Sequence, residues 1–194
     1  MEKENLNPKE SLQIIQEMIQ AEKLRFSENG FIYRFWGWLV SIAALAHFIL
    51  LQLEMYDYHY YPWFLTIFGG IFTGFYYGRK KEKTSLPVSG KILSYTWITI
   101  SFFIFGIAFF FPVRAGDLLL FIILSHIAVG TIVAGAIFKF KTLLIGGFIC
   151  GAMAFVSLVV PREYGSLITI VAVVAADLIP GYQMKRMYNK ENKI

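Results

Sequence analysis

Three ionisable side chains sit in apolar surroundings: His47 in SIAALAHFILL, His126 in LFIILSHIAVG and Asp177 in VAVVAADLIPG. An ionisable group inside hydrocarbon is costly, so it is normally paired or put to use. Two imidazoles on facing helices could hold a haem iron or another metal, or pass protons. A buried carboxyl could couple an ion. A charge at the centre of a bilayer costs about 2.5–3.5 kcal/mol to insert. Asp177 lies nearer one end of its run, one turn before Pro180-Gly181, in the same leaflet as Lys139 and Lys141. Pairing with one of those lysines, or a protonated carboxyl, is the plainer expectation. His47 and His126 have no ligand spacing. A neutral ring bonded to Ser41, Ser125 or a carbonyl is the plainer expectation for both, and His59 reads as a surface residue. No zinc-protease H-E-x-x-H, nucleophile elbow or P-loop occurs. The reading therefore expects no catalytic residues, no metal site and no cofactor, with haem between His47 and His126 as the alternative.

The elements that would position these residues are apolar runs. Of the 194 residues, 57% are hydrophobic and 16% charged, which excludes an ordinary soluble domain. Crossing the ~30 Å hydrocarbon core takes about 20 apolar residues. Six runs meet that need: Phe31–Leu53, Tyr61–Gly78, Ile92–Phe111, Leu118–Phe138, Thr142–Val160 and Tyr164–Tyr182. All 18 Lys and Arg except Arg114 and Arg162 fall on one side of this arrangement. Positive loops stay in the cytoplasm, so both termini are expected there. The net charge of +5 is then an orientation signal and calls for no nucleic-acid partner. Tyr56, Tyr58, Tyr60, Tyr61 and Trp63 would mark the outer interface; Tyr33, Trp36, Trp38, Tyr76, Tyr77, Tyr95 and Trp97 the inner one. Pro62, Pro112, Pro161 and Pro180 are read as stops at the ends of spans. The single cysteine, Cys150, falls inside the fifth run.

Ahead of the bundle, residues 8–28 read as a cytoplasmic amphipathic helix. Asn7 can cap it, Pro8 takes its first position and Glu10 completes a variant capping box. Asn29-Gly30 stops it. Leu12, Ile15, Met18, Ile19 and Phe26 make one apolar face. That face could lie on the membrane, dock on the bundle or on a second copy, or receive a cytoplasmic protein partner. Its poverty in Lys and Arg favours docking. A basic tail, residues 183–194, follows the last span.

Small residues mark packing seams. Gly70, Gly74 and Gly78 recur every fourth position in the second run, and Gly147 and Gly151 in the fifth. Ala172 and Ala176 echo them in the sixth. Such stripes let helices approach closely. Packing within the chain is the expected role, with homodimerisation through the second run as the sharper alternative.

The stretch Glu10 to Val40, ESLQIIQEMIQAEKLRFSENGFIYRFWGWLV, resembles the start of a group of small bacterial six-span inner-membrane proteins. In these an amphipathic leader runs into a first span opening with a WGWL-like motif, here Trp36-Gly37-Trp38-Leu39. The resemblance covers the leader and first span, and implies a bacterial inner-membrane setting. No activity and no functional residue comes with it. WGWL also has a plain reading, as an interfacial aromatic pair around a packing glycine.

The sequence thus predicts an all-α integral membrane protein of six helices behind one cytoplasmic helix. Its first functional expectation is a non-enzymatic regulatory or interaction module. The second is a small transporter or ion-coupled carrier using Asp177 and the buried histidines. The third is a haem or redox protein built on His47 and His126.

Overall fold

The computed structural model describes residues 11, 12, 15, 29–81 and 88–191. The leader reading, residues 8–28, lies outside them except for Ser11, Leu12 and Ile15, which are helical. The described residues are mostly helical, with no strand among them. Its elements are α1 (Phe31–Gln52), α2 (Leu65–Lys81), α3 (Val88–Phe110), α4 (Leu118–Ile137) and α5 (Lys141–Val156). A last run passes through α6 (Gly165–Val173), a π-helical turn (Val174–Leu178) and α7 (Ile179–Glu191). Four of these runs are long and apolar enough to cross a membrane: α1, α3, α4 and the last run, Arg162–Lys190. The helices α2 and α5 are shorter, at 17 and 16 residues.

The core is built from α1, α4, α5 and the last run, and small residues set their spacing. The α4–α5 hairpin is the most extensive pairing. Its turn satisfies the end of α4 with two bonds, Lys139 N–H to Ala136 O (3.2 Å) and Phe140 N–H to Gly135 O (2.9 Å). This is a Schellman closure, with Lys139 at the left-handed position (φ 49°) where glycine is usual. The flanking Phe138 and Phe140 are buried with Tyr33, Leu143 and Met184, so their burial holds the turn. The end of α1 closes likewise, with Glu54 (φ 58°) left-handed and Met55 N–H reaching Leu50 O at 2.9 Å.

The WGWL segment keys α1 to its neighbours. Successive helical residues point about 100° apart, so three in a row can serve three directions. Trp36 donates from Nε1 to Thr73 Oγ1 on α2 at 3.0 Å. A Cβ on Gly37 would sit 2.6 Å from Leu178 Cδ2 and 3.3 Å from Asp177 Cβ. Trp38 donates from Nε1 to the Tyr182 hydroxyl on α7 at 3.1 Å. Beyond Trp36, Phe31, Phe35, Phe72 and Tyr76 extend an aromatic seam between α1 and α2.

Pro180 departs from expectation. It does not stop the sixth span; it is fully buried near the start of α7, and the helix runs on to Glu191. The turn before it explains why. A proline inside a helix lacks an N–H and its ring crowds the preceding turn. Here the preceding turn is widened to π geometry, with Ile179 N–H bonded to Val174 O. The strain is absorbed as one wide turn instead of a break.

Candidate functional site

Asp177 lies in the π turn, 8% exposed, packed against Gly37 of α1. No hydrogen bond or ion pair joins it to a described residue. The expected pairing with Lys139 or Lys141 is therefore not formed. Among the described residues the ion pair is Arg162–Asp117, at 3.7 Å on the surface, where its worth is slight. Around Asp177 the helices touch without side chains between them. A Cβ on Gly146 of α5 would run into the backbone of Ala175, and one on Gly181 would lie 3.0 Å from Arg34 N. Arg34 itself is engaged with Gly30 O and Asn29 O and lies over the Tyr182 ring. Two buried hydroxyls also lack partners: Ser41 Oγ, one turn along α1 from Gly37, and Thr131 Oγ1 on α4.

The histidines are placed apart. Trp63 Nε1 donates to His47 Nδ1 at 2.5 Å, so His47 is held by Trp63 and not by Ser41. Its ring lies 5.0 Å from that of His59, the residue read as mere surface. His59 Nδ1 contacts Tyr56 O. With Nδ1 of His47 accepting, the proton of its neutral ring sits on Nε2. His126 is bonded through Nδ1 to Ile122 O of its own helix at 2.8 Å and packs beside Phe103 of α3. Nothing among the described residues pairs His47 with His126, and no group of three or more His, Cys, Asp or Glu gathers there as a metal site. Nearby on the loop, the Tyr60 phenol is pushed above its ordinary range, first by its hydrogen bond with Tyr61.

The glycine seams divide. Gly147 fits against Ile132 and Ala128 of α4, and Gly151 meets Ala128 Cβ at 3.6 Å. In α2, Gly70 barely reaches Phe105, at 3.9 Å, while Gly74 and Gly78 meet nothing within 4 Å among the described residues. The α2 stripe is thus an open face and not a seam of the described bundle. Sequence spacing alone missed Gly135, Gly146 and Gly181, where an added Cβ would meet backbone of a neighbouring segment within 3.0 Å; the Gly146-Gly147 and Pro180-Gly181 pairs were the available signal. Elsewhere, an open apolar groove of about 460 Å³ runs beside α1, with Phe31, Arg34, Phe35, Trp38, Ile42 and Leu65 among its lining. Cys150 is fully buried, its thiol 3.5 Å from Leu124 O.

Comparison with known proteins finds no matching family model, no matching curated protein and no matching solved structure.

Proposed function

We propose that the chain is a bacterial inner-membrane protein that crosses the bilayer six times with both termini in the cytoplasm. It acts there as a non-enzymatic interaction module. Lys and Arg asymmetry supports the orientation, and the WGWL-type resemblance supports the bacterial setting. Length supports the two shorter spans. Sixteen residues of α5 rise about 24 Å, short of the ~30 Å core, but the turns after it stay apolar through Val160. The helix α2 is prolonged by a 3-10 turn, Tyr61–Phe64.

One observation carries the module reading: the contrast between a core with glycines in backbone contact and an α2 whose Gly74 and Gly78 meet nothing within 4 Å among the described residues. A flat strip without side chains accepts another helix at short range. The partner proposed is the same strip of a second copy, with the leader at 8–28 left to dock a cytoplasmic protein. Gly74→Cys and Gly78→Cys should give cross-linked dimers in native membranes, while Phe102→Cys on α3 should not. Cys150 is buried, so it does not interfere. Absence of cross-links, together with single-step photobleaching of labelled protein in bilayers, would sink the dimer. Deleting residues 1–28 should abolish partner capture while the bundle still inserts.

The redox reading keeps a direct test. Haem between His47 and His126 requires visible absorbance that His126→Ala abolishes; a colourless wild-type protein removes it.

A further inference from the structure

One indole and two imidazoles tie the end of α1 to the loop that follows it. Trp63, in the Tyr61–Phe64 turn, donates from Nε1 to Nδ1 of His47 on α1 at 2.5 Å. The two rings meet edge-on, with centroids 5.9 Å apart. An indole nitrogen donates and never accepts. The bond therefore exists only while Nδ1 of His47 keeps its lone pair, in the neutral ring. An imidazolium carries a proton on both nitrogens and would set donor against donor. His59 stands beside this pair, its ring centroid 5.0 Å from that of His47. At that distance a charge on one imidazole opposes a charge on the other. His59 makes the opposite kind of contact. Its Nδ1 meets Tyr56 O, a carbonyl that can only accept, so that bond survives protonation. The bond within the loop tolerates acid, and the bond from loop to helix does not.

We propose that His47, Trp63 and His59 form a pH-sensitive latch that holds the loop on the end of α1 and opens on acidification. Opening frees the Tyr61–Phe64 turn that leads into α2, while the loop keeps its own His59–Tyr56 contact. The latch needs no assignment of sides; that it reads the outer pH rests on the six-crossing reading. Imidazole is the side chain that ordinarily changes charge between about pH 5 and about pH 8. Carboxyls, phenols and guanidinium groups ordinarily titrate outside that range. Such groups make up the other titratable neighbours. The loop brings Glu54, Asp57 and the tyrosines 56, 58, 60 and 61. The 3-10 turn Arg162–Tyr164, which also packs on α1, brings Arg162, Glu163 and Tyr164. α6 brings none, and α2 and α3 carry theirs at their opposite ends, from Tyr76 onward and as far as Tyr95. The π turn and α7 meet α1 at Gly37 and Trp38, about 15 Å along the helix from His47.

The test uses the full-length protein in nanodiscs with its four tryptophans replaced by fluorotryptophan. Fluorine spectra are recorded from about pH 8 to about pH 5, and Trp63→Phe assigns the Trp63 line. That line should shift along a titration, while the line of Trp36, bonded to Thr73, should stay in place. His47→Gln supplies an acceptor that cannot titrate, so the shift should be lost. His59→Gln should keep it, because the proton that breaks the bond goes to His47. A nitroxide on Tyr58→Cys reads the loop itself, and the buried Cys150 does not compete for the label. Its mobility should rise on acidification, and in Trp63→Phe it should be high at every pH. That second variant keeps the test decisive if His47→Gln does not fold. A Trp63 line indifferent to pH overturns the proposal, and so does an equal shift in His47→Gln. A shift with no gain in loop mobility also overturns it, since the bond would then hold nothing in place.

Discussion

Thr131 shows how much a single atom can say. Its side chain is fully buried in α4, yet Oγ1 has no hydrogen-bond partner. Several other hydroxyls in the spans return to their own helix, as Ser94 does to Gly90 O and Thr169 to Gly165 O. An unsatisfied buried hydroxyl costs about 1–3 kcal/mol. Thr131→Val keeps the shape and removes that cost, so it should raise stability by about 1 kcal/mol. The midpoint of thermal unfolding reads this directly, and a fall of the same size would reveal an unrecognised partner. The lesson extends to the three ionisable residues that open the sequence. Their type and burial were legible, because each sits in an unbroken apolar run. Their partners were not. His47 meets Trp63 and His59 only because the loop after α1 folds back over its end, and a loop path is not written in hydropathy. Asp177 bonds to neither lysine: Lys139 sits at the left-handed position of the turn after α4 and Lys141 opens α5, and hydropathy does not say where either side chain goes.

At the level of elements, the same residue type gives opposite results at two places. Gly146 and Gly74 both lie in apolar helices beside other glycines. A Cβ on Gly146 meets backbone that cannot move aside, whereas one on Gly74 meets nothing within 4 Å among the described residues. Gly146→Ala should therefore destabilise by about 1–3 kcal/mol, the usual cost of overpacking. Gly74→Ala should stay within about 0.5 kcal/mol of wild type. Equal effects in an unfolding titration would overturn this division. The left-handed caps give a second test. Glu54 takes a conformation that costs an L-residue about 1–2 kcal/mol. Glu54→Gly relieves it but frees the unfolded chain, so the net gain should reach at most about 1 kcal/mol in the same titration. The helices themselves were legible from hydropathy, to within a few residues at most ends. The π turn was not. Pro180-Gly181 reads locally as a stop, and only the packing of α1 and α5 on both sides makes a widened turn better than a break.

For the whole molecule, the decisive quantity is which ends of the bundle face which side. Four helices are long and apolar enough to cross, and the two shorter ones decide whether the chain crosses four or six times. The loops separate the cases. With six crossings, Asp57 between α1 and α2 and Arg162 after α5 lie outside, while Lys139 between α4 and α5 lies inside with both termini. If α2 and α5 did not cross, Lys139 and Arg162 would share a side. The native chain suits a cysteine test because its one thiol, Cys150, is fully buried and should not react. Asp57→Cys and Arg162→Cys should label with a membrane-impermeant maleimide on intact cells. Lys139→Cys should label only after the membrane is opened. Labelling of Lys139→Cys from outside, with Asp57→Cys and Arg162→Cys protected, would reverse the orientation. Labelling of Lys139→Cys and Arg162→Cys from one side would reduce the crossings to four.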